Sequence, residues 1–203
     1  MRKAVVKNRE IKMGKKHKKP LVALLTNHDD DVYCFRKELI EAMIEEDYDV
    51  LISCPYGEKL ELMKELSYKY DNPLIDRRGT SIKNDINLLL HYFRLFKKQK
   101  PDVILAYTAK PNTYGSIVAK VLKIPVINNV TGFGSALNKS GLMQKFIISL
   151  FRLAYRNSSC IMFQNSTNMK LANKLGMIKG DYKLIPGSGV NTERYQQKGK
   201  MVV

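Results

Sequence analysis

Short apolar runs alternate with amphipathic segments along most of this chain. The first run, "LVALLT", is continuously apolar, as expected for a strand that is buried on both faces of a sheet. Turn-forming residues such as Pro55, Gly57 and Pro101 separate the runs from their neighbours. On this basis we predict seven strands: "LVALLT", "YDVLISC", "YKYDNPLI", "PDVILAYT", "IPVINNVT", "SCIMFQN" and "DYKLIPGSGVN".

Helical periodicity marks the segments between the strands, as in residues 32–46, where the apolar side chains share one helical face. The predicted helices cover residues 32–46, 58–66, 81–99, 112–123, 142–156 and 166–176. Strands that alternate with helices at this spacing favour right-handed crossovers and a parallel sheet. The predicted fold class is therefore α/β, with a single Rossmann-like, doubly wound parallel sheet over residues 20–195.

The net charge of +16 is unevenly distributed. Residues 1–19 contain nine Lys or Arg against one Glu, so half of the excess charge precedes the periodic region. This basic leader is predicted to be a disordered tail, or to lie upstream of a start at Met13; a third interpretation is attraction to anionic lipid. Nucleic acid is the less favoured partner because no nucleic-acid-binding motif accompanies the charge.

Composition disfavours several other classes of protein. Cys34, Cys54 and Cys160 are widely spaced, without a CxxC pair or a Cys/His cluster, so we predict neither a metal site nor a disulfide framework. The apolar run "FIISLF" is far shorter than the roughly 20 residues of a membrane span. No signal peptide is recognisable. The protein is expected to be cytosolic or peripheral to a membrane.

Polar and small residues follow the predicted strands. The segments concerned are "TNHDDD", "SCPYGE", "YTAKPN", "VTGFGS" and "FQNSTN". Because ligands of open α/β sheets bind beyond the carboxyl ends of the strands, these segments predict a site at one sheet edge. Ordinary turn chemistry, which favours the same residue types, is the alternative.

Five ordered motifs carry a resemblance to a known family. They are "NHDDDVYCFRKELIEAM", "YTAKPNTYGSIVAK", "VTGFGSALNK", "FQNSTN" and "PGSGVNTERY". In this order and spacing, they resemble the N-terminal half of family 4 glycosyltransferases, and more narrowly bacterial enzymes that extend polyprenyl-diphosphate-linked sugars. The resemblance covers Pro20 to about Tyr195.

This resemblance implies a GT-B enzyme with two facing Rossmann-like domains, an acceptor-binding N-terminal half and a C-terminal half that binds the nucleotide sugar. The implied reaction is sugar transfer with retention of configuration, with no tightly bound metal or cofactor. The implied partners are a lipid-linked saccharide and the anionic inner face of the plasma membrane, to which a cytoplasmic protein would bind peripherally.

The donor site of this family contains two glutamates separated by seven residues in its C-terminal half. Glu38 and Glu46 show that separation, but they lie on the solvated side of the first predicted helix, so we interpret the match as a coincidence. With residues 196–203 as a truncated tail, the chain is expected to be inactive alone, or to depend on a separate chain that supplies the donor-binding domain.

By the resemblance, acceptor-binding residues are expected in three loops. They are Asn27, His28, Asp29, Asp30 and Asp31 in the first loop, then Lys110 and Asn112, then Thr131, Gly132 and Gly134. The first loop lacks glycine and carries three carboxylates, which suit sugar hydroxyls better than a diphosphate; one aspartate is expected to cap the following helix. Lys110 or the "TGFGS" turn would hold the diphosphate. The role of a catalytic base is unassigned, with His28 as a candidate.

Two further groups of residues are expected at surfaces. Gly187, Ser188, Gly189 and Asn191 would border the donor cleft at the interdomain crossing. Lys145, Arg152 and Arg156 form one basic stripe on a predicted helix, which indicates either a membrane-facing helix or a core helix with a solvated stripe.

The predicted function is the acceptor-binding half of a retaining glycosyltransferase that acts on lipid-linked saccharides in surface polysaccharide or glycan synthesis. The alternative is a non-catalytic Rossmann-like module that binds a partner glycosyltransferase chain or a membrane surface. A two-domain sugar epimerase has a compatible fold but fits the loop motifs less well.

Overall fold

One parallel sheet of seven strands organises the computed structural model, which describes residues 19–77, 79, 81–133, 137 and 141–194. The strands are β1 (Leu21–Leu25), β2 (Asp49–Ser53), β3 (Lys69–Asp71), β4 (Val103–Tyr107), β5 (Val126–Val130), β6 (Cys160–Phe163) and β7 (Tyr182–Leu184). Their order is β3-β2-β1-β4-β5-β6-β7, and every neighbouring pair is parallel. This order confirms the Rossmann-like α/β fold. The predicted basic leader, apart from Lys19, and the tail 196–203 lie outside the described residues.

The position of β1 at the centre of the sheet explains its sequence. All five residues of this strand are buried, with Leu24 registered between Ile52 of β2 and Leu105 of β4. A strand covered on both faces cannot alternate apolar with polar side chains, so it is apolar throughout.

Within the described ranges, six α-helices connect the strands and cover both faces of the sheet. They are α1 (Asp29–Phe35), α2 (Lys37–Glu45), α3 (Ile82–Gln99), α4 (Ser116–Leu122), α5 (Gly141–Tyr155) and α6 (Ser166–Lys174). A 3-10 helix over Glu58–Met63 and a π-helical turn over Pro111–Gly115 also lie between strands. On one face Leu24 and Ile52 pack with Val32 and Ile40 of α1 and α2. On the other, Leu25 and Ala106 pack with α3 and α4.

The single helix predicted over residues 32–46 is wrong, because Arg36 interrupts it. Arg36 has φ −129° and ψ −7°, which ends α1 and precedes α2. Its side chain is buried, and the guanidinium lies 4.0 Å from the centre of the Tyr107 ring. Burial lowers the pKa of this guanidinium. The backbone turns at Arg36 and its side chain lies against the end of β4, a tertiary contact that helical periodicity does not reveal.

Two other predicted elements are shorter than expected. The segment "EKLELMKEL" forms a 3-10 helix over Glu58–Met63 instead of an α-helix. The strand predicted in residues 68–75 is limited to Lys69–Asp71, which is followed by Pro73. No helix among the described residues has the length and apolar character needed to cross a bilayer.

Candidate functional site

The polar segments predicted to form a site follow the carboxyl ends of β1, β2, β4, β5 and β6, which parallel pairing brings to one edge of the sheet. Hydrogen bonds link several of these segments directly. Thr26 N–H donates to Ser53 O, and Gln164 N–H donates to Val130 O. These segments therefore share one edge of the sheet, the edge at which ligands of such folds bind.

The first loop is organised by internal hydrogen bonds. His28, and not an aspartate as predicted, caps α1: its Nδ1 accepts from Asp30 N–H at 3.1 Å. Asp29 is buried and accepts from Lys59 N–H at 3.0 Å, at the start of the 3-10 helix. Asp31 accepts from the Thr26 hydroxyl at 3.1 Å. Asp30 is the exposed carboxylate of the three, so it is the one best placed to meet a ligand.

The capping bond also bears on the chemistry of His28. The same Nδ1 lies 3.1 Å from Asp29 Oδ1 and 3.0 Å from Asp30 Oδ2, so this ring nitrogen is surrounded by groups of its own loop. The role of His28 as a catalytic base stays a prediction. His28, Asp29 and Asp30 bring ligand-type atoms within 4.8 Å of one another, an arrangement that the cap itself produces. We assign no metal to it.

Gly57 leaves the space that the Asp29 carboxylate occupies, because a Cβ at Gly57 would overlap that group. We expect Gly57→Ala to destabilise the fold by roughly 1–3 kcal/mol, since a short buried side chain would have to leave its Lys59 partner. Urea denaturation of the purified chain measures this change. Gly180→Ala is the matched control, since its Cβ would lie at an ordinary 3.6 Å from Ser158 O. Equal stability of the two variants would contradict the placement of the Asp29 carboxylate against Gly57.

Lys110 is held by an ion pair. Its Nζ lies 2.7 Å from Asp85 Oδ1 on α3, and the side chains are 15% and 21% exposed. The Tyr114 hydroxyl also bonds to Asp85; burial first, and that bond second, raise the pKa of Tyr114. The cation predicted to neutralise a diphosphate therefore already has a counter-charge, so a diphosphate would have to compete with Asp85.

Asn112 belongs to a buried network of amides and hydroxyls beneath this edge. Its Nδ2 donates to Asn129 O at 2.9 Å, and its Oδ1 accepts from Asn128 Nδ2 at 2.8 Å. Asn128 Nδ2 also donates to Ser116 Oγ, and Asn128 Oδ1 accepts from the hydroxyls of Ser116 and Ser158. Both ends of the Asn112 amide are therefore used internally, and they tie the π-helical turn to β5. The direct contact with an acceptor stays a prediction.

The loop after β5 is only partly described. Thr131 is exposed, Gly132 is half-buried, and Phe133 packs edge-on against Phe151 of α5. Gly134, the other glycine of the predicted turn, lies outside the described residues. The acceptor contacts expected of Thr131 and Gly132 stay predictions.

The segment after β7 returns across the edge towards α1 and α2. Gly187 and Gly189 have φ of +100° and +72°, in the region that glycine favours. Ser188 Oγ accepts from Gln164 Nε2 at 2.8 Å, and Asn191 Nδ2 donates to Glu38 Oε1 at 3.3 Å. Ser188 is thus joined to the residue after β6, and Asn191 to α2. The role of all four residues beside a donor cleft stays a prediction.

The basic stripe of α5 divides in two. Lys145 is exposed beside Phe146, in the half of the helix near the candidate site. Arg152 and Arg156 lie towards the other end and line a cleft with residues of other elements. The membrane-facing role expected of these three cations stays a prediction.

Several residues of this edge lie within the quoted motifs, but the sequence analysis did not single them out as site residues. Thr108 has φ +63°, a strained value for a β-branched residue, and lies at the end of β4. Arg194 donates to Tyr33 O and Cys34 O and pairs with Glu38. Gln164 joins Asn129 to Ser188. A threonine directly after an apolar strand is a weak sequence signal for a site residue. The contacts of Arg194 with residues distant in the chain give no sequence signal at all.

Sequence comparison identifies relatives. The family model described as "Glycosyl transferase 4-like" matches residues 21–165. The N,N'-diacetylbacillosaminyl-diphospho-undecaprenol alpha-1,3-N-acetylgalactosaminyltransferase of Campylobacter jejuni is 25% identical over 182 residues, which cover 86% of this chain and 48% of that enzyme.

Solved structures show the same fold at low identity. HepE of Anabaena, in complex with UDP and glucose, matches with a TM-score of 0.59 and 15% identity over 88% of this chain and 47% of that chain. Sucrose-phosphate synthase of Thermosynechococcus elongatus matches with a TM-score of 0.59 and 10% identity, over 82% of this chain and 48% of that chain. UDP-GlcNAc 2-epimerase of Neisseria meningitidis, bound to UDP-GlcNAc, matches with a TM-score of 0.53 and 18% identity, over 77% of this chain and 44% of that chain.

The chain spans about half the length of each of these proteins. The structural likeness shows the fold alone, and the matched proteins include a synthase and an epimerase. The family match is more specific, because it extends over most of the sheet, from the first residue of β1 to the end of "FQN". The chain belongs to the glycosyl transferase 4-like family.

Proposed function

We propose that this chain forms the acceptor-binding, N-terminal half of a glycosyltransferase that transfers a sugar from a nucleotide sugar to a lipid-linked saccharide, with retention of configuration. The observation that carries the proposal is the similarity, over 86% of the chain, to an enzyme whose name specifies a diphospho-undecaprenol-linked acceptor. On this proposal the donor-binding half is required for transfer, in the same or a partner chain, and these 203 residues alone turn over negligibly.

The geometry of the carboxyl edge supports an acceptor role. Asp30 offers an exposed carboxylate at the end of β1, and Thr131 offers an exposed hydroxyl after β5. Oxygen-rich side chains at such an edge can accept hydrogen bonds from sugar hydroxyls. The first loop has no glycine cradle for a phosphate, so a diphosphate would lie nearer Lys110.

The N-terminal half of α5 supports contact with a bilayer. Leu142, Met143 and Phe146 are 83%, 47% and 56% exposed, and Lys145 lies among them. This end of α5 follows β5, so it lies at the same edge as the acceptor loops. Exposed apolar side chains beside a lysine suit the interface of a membrane, where a lipid-linked acceptor resides. We place peripheral membrane contact, at the inner face, on these residues.

Binding to a lipid-linked saccharide tests the proposal. We expect the chain to co-sediment with phosphatidylcholine vesicles that contain a polyprenyl-diphosphate saccharide, and to bind vesicles with polyprenyl phosphate alone several-fold less. Asp30→Asn should weaken saccharide-dependent binding about fivefold, since it removes the charge from a charge-assisted hydrogen bond.

Asp181→Asn is the control for that variant, because Asp181 is an exposed carboxylate at the opposite edge, just before β7. Its binding should equal that of the unaltered chain. Vesicle binding that does not depend on the saccharide would contradict the acceptor assignment. An equal loss of binding in both variants would contradict it too.

A further inference from the structure

A basic cleft of about 460 Å³ opens between α4, α5 and the segment that precedes β7. Four cations line it, Lys120, Arg152, Arg156 and Lys179, together with Ser149 and Asn157. Each cation precedes the start of a strand: Lys120 precedes β5, the arginines precede β6, and Lys179 precedes β7. The cleft therefore lies at the amino edge of the sheet, opposite to the candidate acceptor site.

The cleft has no counter-charge of its own. None of the residues that line it is acidic, and within the described part of the chain none of the four cations makes an ion pair. Four positive groups around one cavity repel one another, and a bound anion would remove that repulsion.

One of the four cations is anchored in place. Arg152 Nε donates to Leu175 O at 2.8 Å, a bond that joins α5 to the end of α6. The next residue, Gly176, has φ +62° and passes close to the guanidinium, about 3.9 Å from where its Cβ would lie. The terminal nitrogens of Arg152 make no hydrogen bond to a described residue, so a planar pair of donors is available to a ligand.

Helix ends explain only part of this charge. Lys120 and Arg152 lie in the last turns of α4 and α5, where cations stabilise the negative end of the helix dipole. Arg156 directly follows the last residue of α5 and adds to the same effect, whereas Lys179 lies in the loop between α6 and β7. Lys179 needs another explanation, and it lines the same cavity as the other three cations.

We propose that this cleft binds a phosphate group. Arginine binds phosphate oxygens with two parallel hydrogen bonds, lysine adds point charges, and Ser149 and Asn157 add neutral polar groups. The volume accommodates a diphosphate or a phosphate ester with a small alcohol part. The ligand is the headgroup of an anionic lipid or a soluble phosphorylated compound. This site is separate from the acceptor edge and does not depend on the glycosyltransferase assignment.

Calorimetric titration of the full chain with inorganic pyrophosphate, at constant ionic strength, tests the site. We expect saturable binding, weakened on the order of 10-fold or more by the paired change Arg156→Gln with Lys179→Gln, which removes two charged donors. Neither residue makes a side-chain hydrogen bond within the described structure, so the fold should be retained; thermal unfolding checks this.

Arg94→Gln with Lys98→Gln is the matched control, because it also removes one arginine and one lysine, both exposed, from the surface of α3. It should bind pyrophosphate as the unaltered chain does. Equal weakening in both paired variants, or no saturable binding by the unaltered chain, would overturn the proposal.

Vesicles distinguish the two sources of the phosphate. Binding to phosphatidylcholine vesicles is compared with and without phosphatidylglycerol, for the unaltered chain and for both paired variants. If the cleft variant alone loses the contribution of phosphatidylglycerol, the site takes a lipid headgroup. If that contribution is unchanged while pyrophosphate binding is lost, the site takes a soluble phosphate compound.

Discussion

Asn128→Ala is expected to lower the free energy of unfolding by about 3 kcal/mol, because several buried polar groups lose their partner at once. Asn128 is fully buried, and its amide bonds to Asn112, Ser116 and Ser158. Asn112 Oδ1 has no other described donor. For a chain of this size the loss corresponds to a fall in Tm of roughly 6–12 °C. Urea and thermal denaturation measure both quantities.

Asn87→Ala provides the comparison for that prediction. Asn87 is exposed on α3 and makes no side-chain hydrogen bond within the described residues, so its removal should change stability by less than about 0.5 kcal/mol. If Asn128→Ala were as mild, the network would be replaceable by water or by rotation of the serine hydroxyls, and its role in holding the π-helical turn against β5 would be refuted.

The sheet could be predicted from the sequence because the apolar composition of a strand indicates that it is buried. Five consecutive apolar residues at Leu21–Leu25 have no place on a solvated surface, and the alternation of strand and helix leaves few topologies for a parallel sheet. The strand order and the gathering of the polar loops at one edge then follow from general rules of open α/β folds.

The break at Arg36 could not be predicted in the same way. The residues before and after Arg36 keep a helical spacing of apolar positions, so this spacing does not reveal the turn between α1 and α2. What decides it is the burial of one guanidinium against Tyr107, which is distant in the chain. A local pattern carries no information about such a partner.

Contacts between residues remote in sequence likewise limited the prediction of the site. Residue type and loop position singled out Asp29, Lys110 and Asn112 as residues available to a ligand, yet each is engaged by a group remote in sequence. The sequence could show that Lys110 follows β4, but not that Asp85 faces it from α3. Function at this edge therefore depends on which of these contacts a ligand can displace.

The ion pair between Lys110 and Asp85 leads to opposite expectations for its two halves. If Lys110 holds the diphosphate of a lipid-linked acceptor, Lys110→Met should weaken binding to vesicles carrying a polyprenyl-diphosphate saccharide about tenfold. Asp85→Asn should preserve or strengthen that binding, because it removes the charge that competes for the lysine. Co-sedimentation measures both variants, with Lys98→Met, an exposed lysine on α3, as the control.

Stability separates this role from a structural one. Both side chains are partly exposed, so breaking the pair should cost about 2 kcal/mol, between the values for surface and buried pairs. If the pair served only to join α3 to the loop after β4, both variants would lose affinity in proportion to their loss of stability. Opposite changes in affinity, with a similar loss of stability, are expected only when the lysine is shared between Asp85 and the ligand. A parallel loss in Asp85→Asn and Lys110→Met would therefore remove Lys110 from the acceptor site and leave the diphosphate to the loop after β5.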